Sequence, residues 1–113
     1  MKIPKSIQER RRSVRILSEL PFLIGHGEYD FQTKTVNLSS HGAMCELDVD
    51  IPLMTRIKIS LKLPKKELRL KGVVVRRERN ELTDKTLIAI FFSDVKPEDQ
   101  TRLDSFIRDK ITP

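Results

Sequence analysis

Four arginines, Arg10, Arg11, Arg12 and Arg15, fall within six consecutive positions, and Arg11 and Arg15 are four apart. A guanidinium is planar and holds its donors in a fixed fork. The fork matches two phosphate oxygens or the O6/N7 edge of guanine, and the flat face stacks on a base. Arginine rather than lysine therefore points to planar, bidentate recognition rather than to charge neutralisation alone. A solvated basic tail has the same composition, so the run gains meaning only from what accompanies it. A second polar feature is Asn37-Leu-Ser-Ser-His-Gly42, which interrupts two apolar stretches. Asn and Ser side chains bond nearby backbone and suit turns. Gly42 can supply a positive φ or let another backbone approach closely.

Other chemistries find little support. The chain has no Gly-rich phosphate loop, no Walker motif and no HExxH pair. His26 and His41 are separated by 15 residues, and neither has a His or Cys partner at helical spacing. Both read as loop or strand histidines rather than metal ligands. Cys45 is the single cysteine and lies among Met44, Glu46 and Leu47, where a packed core thiol is expected rather than a nucleophile. Asp48 and Asp50 read as a solvated loop. No catalytic residue, metal or cofactor is expected.

These groups need a scaffold, and the pattern of apolar residues describes one. The chain of 113 residues fits one domain. Residues 1–15 carry a balance of +5 out of a total of +6, so the positive field is confined to one short segment. Such a segment can hold phosphates of a small ligand, nucleic acid or a membrane surface. Leu20, Phe22 and Ile24 alternate, which predicts a strand with Pro21 at an edge or bulge. Strands are also predicted over Phe31–Leu38 and Ala43–Leu47. In Arg56–Leu63, Ile57, Ile59, Leu61 and Leu63 alternate with Arg56, Lys58, Ser60 and Lys62, a half-buried strand. A fifth strand runs from Leu68 to Arg79. Leu87–Phe92 is apolar on both faces, so that strand is expected to be covered on both sides. The period then changes. Pro97, Glu98 and Asp99 suit a first helical turn, and Leu103, Phe106, Ile107 and Ile111 form one stripe. Six short strands and a terminal helix predict a mostly β domain, an antiparallel barrel or sandwich closed by a helix.

The order and spacing of the two polar features resemble the paired signature of the PilZ family. Arg11-Arg-Ser-Val-Arg15 matches RxxxR, and Asn37-Leu-Ser-Ser-His-Gly42 matches (Asp/Asn)xSxxG. The resemblance extends over nearly the whole chain. It implies a six-stranded antiparallel β-barrel over residues 16–113 with a C-terminal α-helix. Residues 1–15 are then a flexible arginine-rich ligand-binding segment. It also implies a receptor for cyclic di-GMP, a bacterial second messenger. Carried over by position, Arg11 and Arg15 would contact guanine edges and phosphates and stack on a base. Asn37 and Ser39 would hydrogen-bond the ligand from the barrel surface, and Gly42 would leave room for it. Asn37 stands where Asp is the commoner residue, keeping a carbonyl acceptor but losing a carboxylate's charge. An arginine directly before RxxxR, here Arg10, tends in this family to accompany two stacked ligand molecules per chain.

The arginine segment is too polar to pack alone, so it is expected to fold over the ligand and to signal by that ordering. Two rival readings use the same residues. A nucleic-acid module is disfavoured, because five Phe, one Tyr and no Trp leave little for a stacking platform and no basic stripe crosses the body. A PilZ-like adaptor that docks a protein without nucleotide is disfavoured because both motifs are intact, although a downstream protein partner fits either reading. No apolar run approaches the roughly 20 residues that span a bilayer. The N-terminus has no apolar signal region, and a lone cysteine gives no disulfide, so a cytoplasmic location and no membrane insertion are expected.

Overall fold

The computed structural model describes residues 15–111. Its elements are β1 (Ile16–Leu17), β2 (Pro21–His26), β3 (Tyr29–Leu38), β4 (Gly42–Leu47), β5 (Arg56–Lys62), β6 (Glu67–Asn80), β7 (Lys85–Asp94) and α1 (Pro97–Ile111). Strands β3, β2, β5, β6, β7 and β4 pair in that order, and β4 returns to β3 to close a six-stranded barrel. Every pairing is antiparallel.

Period-two patterning decides which side chains face inward. In β5, Ile57, Ile59 and Leu61 are buried while Arg56, Lys58 and Lys62 are exposed. Leu68, Leu70 and Val74 do the same in β6, and Ile88, Ile90 and Phe92 in β7. At about 0.8 kcal/mol for each buried CH₂, this shared interior is the main stabilising term. Leu103 and Ile107 of α1 join the same core, with Phe106 packed beside it. The predicted helical stripe is one turn too long, because Ile111 is 49% exposed. No helix among the described residues is long and apolar enough to cross a membrane.

Two irregularities shape the wall that carries the motif residues. Strands β1 and β2 lie along one edge of β3 and are separated by Ser18–Leu20. The buried Thr35 bridges that break: its hydroxyl donates to the Ser18 carbonyl and accepts from the Leu20 amide at 2.9 Å. β1 is thereby aligned with Leu38 and Asn37, and Arg15, the preceding residue, is delivered to the same level. The second irregularity is a β-bulge. Thr35 faces Cys45 but Asn37 faces Met44, which leaves Val36 as the extra residue. The bulge lets Thr35 and Leu38 both point into the core while Val36 and Asn37 stay on the outer side.

The expectation that β7 is covered on both faces is not met. Its inward residues are buried, but Leu87 and Ala89 are half-buried and Phe91 is 49% exposed. About half of Phe91 is left uncovered by the described fold. Instead the outer apolar face of β7 forms part of a pocket.

Candidate functional site

The turn between β3 and β4 is built around Ser39. Its backbone N–H donates to the Gly42 carbonyl at 2.8 Å. Its Oγ accepts from the N–H groups of Gly42 at 3.1 Å and His41 at 3.3 Å, and donates to the Gly42 carbonyl at 3.3 Å. One donor and two acceptor sites are the full capacity of a hydroxyl. Ser39 is only 6% exposed, so its hydroxyl is not an open surface group. In this structure Ser39 shapes the turn because the local backbone groups take all its bonds.

The turn is held from two sides. The Phe92 N–H of β7 donates to the His41 carbonyl at 2.8 Å. Gln100 of α1 donates through Nε2 to the Ser40 carbonyl at 3.0 Å. The Ser40 hydroxyl and His41 Nδ1 are 3.3 Å apart.

Gly42 also acquires a structural reason. A Cβ on it would sit 2.3 Å from the Ile90 carbonyl oxygen, well inside contact distance. The missing Cβ would point at the β7 backbone, so glycine is what lets β4 pair so closely with β7.

Asn37 and Arg15 meet at a residue that neither motif contains. Asn37 Nδ2 donates to the thioether sulfur of Met44 at 3.2 Å, and Arg15 Nη1 lies 4.0 Å from the same sulfur. Met44 pairs with Asn37 on one side and with Ala89 on the other. Around this cluster lies a pocket of about 580 Å³ whose lining includes Arg15, Asn37, Ser39, Gly42 and Met44, with Val75, Ala89 and Phe91 as an apolar floor. Val75 reaches the pocket through another bulge, since Val74 faces Ile90 and Arg76 faces Ala89. Arg10 and Arg11, like all of residues 1–14, lie outside the described residues.

A larger groove of about 1240 Å³ lies elsewhere on the barrel. It contains no arginine, and its charged lining is five carboxylates against three lysines, including Glu19, Asp30 and Lys34. That balance repels an anion, so the chemistry favours the smaller pocket. Cys45 takes no part in either. It is fully buried, and desolvation pushes its thiol pKa up to about 12, so it stays protonated and packs as a core side chain. No cluster of metal-binding side chains occurs among the described residues.

The PilZ domain family profile matches residues 9–109. The chain belongs to the PilZ domain family. No curated protein matches it in sequence. Among solved structures, the inhibitor of motility MotI/DgrA from Bacillus subtilis superposes with a TM-score of 0.79 at 22% identity, covering 90% of this chain and 52% of that one. Escherichia coli YcgR in complex with c-di-GMP gives 0.73 at 16% identity, with 90% and 46% covered. The isolated PilZ domain of YcgR with c-di-GMP gives 0.65 at 16% identity, with 89% and 94% covered. The chain spans about half the length of the first two proteins. At these identities the likeness is one of fold.

Proposed function

We propose that this chain is a receptor for cyclic di-GMP. The observation that carries the reading is the convergence of Arg15, Asn37 and the Ser39–Gly42 turn on one shallow pocket of the barrel wall. Membership of the PilZ family supports it, as does the likeness to a PilZ domain solved with this nucleotide. The chemistry of the pocket suits a dianion with two guanine bases. Arg15 supplies a planar cation for a phosphate or guanine edge. Asn37 offers an amide, whose carbonyl accepts from guanine N–H groups. The exposed parts of Phe91, Val75 and Ala89 form an apolar surface against which a base face loses water. Arg10 and Arg11 are the remaining ligand arginines in this reading. Arg10 provides the further charge needed for two stacked molecules per chain. Closure of the N-terminal segment over the bound nucleotide is the signalling step, read by a downstream protein partner.

Calorimetric titration with cyclic di-GMP at fixed ionic strength tests the reading. Saturable binding at a ratio near two, weakening as salt rises, is the expected result. A ratio of one removes Arg10 from the scheme. Absence of saturable heat, with a partner protein captured by the nucleotide-free chain, would replace the receptor reading with that of a docking adaptor.

A further inference from the structure

We infer that Met44 is a positioning residue for the ligand site: its thioether fixes which end of the Asn37 amide faces the pocket. The inference rests on the receptor reading above but adds a residue that neither motif names. A primary amide has two unlike ends, a donor NH₂ and an acceptor carbonyl, on nearly the same shape. An asparagine at a binding site can therefore present either, and the two recognise opposite ligand groups. Something beside the amide must break the tie.

In this structure that neighbour is a sulfur atom. The bulge at Val36 puts Asn37 directly opposite Met44. Sδ of Met44 stands 3.2 Å from Asn37 Nδ2. A thioether has no proton and only accepts, so the favourable arrangement turns the NH₂ toward Met44. The carbonyl Oδ1, which has no partner among the described residues, is left for ligand. The end presented then accepts hydrogen bonds, as recognition of guanine N–H donors requires. Because sulfur is a weak acceptor, the hold is light. The 4.0 Å approach of Arg15 Nη1 to the same sulfur is lighter still, so incoming phosphate oxygens can take that guanidinium at little cost.

A carboxylate at position 37 has two equivalent oxygens and no need of orientation. This makes the proposal testable by a double-mutant cycle. Cyclic di-GMP affinity is measured by calorimetry for wild type, Met44→Leu, Asn37→Asp and the double variant. Leucine keeps the apolar volume and removes the acceptor. Met44→Leu is expected to weaken binding by roughly two- to tenfold, the range of a neutral hydrogen bond. In the Asn37→Asp background the same change is expected to alter affinity by less than about twofold, the usual margin for uncoupled sites. Wild-type affinity in Met44→Leu would overturn the inference. So would an equal loss in both backgrounds, since that is the signature of a plain packing contact. A second measurement needs no ligand. Nuclear Overhauser contacts between the Asn37 NH₂ protons and the Met44 methyl group are expected in the free protein, and their absence would overturn the assignment. Failure of wild type to bind the nucleotide would instead sink the receptor reading.

Discussion

Replacing Gly42 with alanine adds one carbon at a point where the barrel has no space. That carbon would lie 2.3 Å from the Ile90 carbonyl oxygen and 3.4 Å from its carbonyl carbon. Both atoms are backbone of the facing strand, so no side-chain rotation relieves the clash. Strands β4 and β7 must separate locally, although they are paired from Gly42–Phe91 to Leu47–Thr86. Forcing an extra carbon into well-packed structure costs about 1–3 kcal/mol. For a chain near 100 residues, each kcal/mol lowers the melting midpoint by roughly 4 °C. Gly42→Ala is therefore expected to melt about 4–12 °C below wild type, a range that follows from those two figures. The Ser39 hydroxyl and backbone both bond Gly42, so cyclic di-GMP affinity is expected to fall as well. Thermal unfolding followed by circular dichroism, paired with calorimetric titration, separates two ideas about this residue. If Gly42 serves only to make room for ligand, the midpoint is unchanged and binding alone suffers. A midpoint within about 2 °C of wild type, which is under the lower bound above, refutes the packing argument.

Three further substitutions probe the same wall. Ser39→Ala removes the acceptor used by the His41 and Gly42 N–H groups, so a loss of about 1–3 kcal/mol in stability is expected, with affinity falling alongside; unchanged denaturant unfolding would show the hydroxyl to be dispensable to the turn. Arg15→Ala acts on an exposed side chain and is expected to leave the melting midpoint in place while weakening cyclic di-GMP by about 1–3 kcal/mol; wild-type affinity would exclude Arg15 from the site. Phe91→Ala strips the floor of its largest side chain and is expected to cost about 1–3 kcal/mol in binding, the usual worth of a base-stacking aromatic, with only a small change in unfolding; binding equal to wild type would leave that floor without a role.

The sequence shows the barrel because its strands obey a rule that needs no knowledge of their partners. Alternation in Arg56–Lys62 fixes an inner and an outer face, and the change of period after Pro97 marks the helix. The motif residues are visible for a similar reason, since type and spacing along the chain carry the signal. What escapes is everything that depends on which strand lies beside which. Nothing in Thr35-Val36-Asn37 announces a bulge, yet the bulge decides that Asn37 faces outward. Ser39 looks like a surface hydroxyl until the turn closes and consumes its bonds with backbone groups from His41 and Gly42.

The reading of β7 shows how one correct signal can carry two meanings. Leu87–Phe92 is apolar on both faces, and the usual cause is burial between two layers. In an antiparallel barrel of six strands closed on itself, the inner face fills the core, and among the described residues the outer face at Phe91 is left half open. An apolar outer row must then either be tolerated in water or serve a ligand. Here the row crosses strands at the level of the motif: Asn37 faces Met44, Met44 faces Ala89, and Phe91 faces Gly42. Of these, Met44, Ala89 and Phe91 have no reason in the hydrophobic pattern of the fold to be apolar, because their faces point away from the core. In the receptor reading proposed above, their position beside Arg15 and Asn37 supplies one. A base needs a dry surface under its ring as well as polar groups at its edge, and the motif names only the edge.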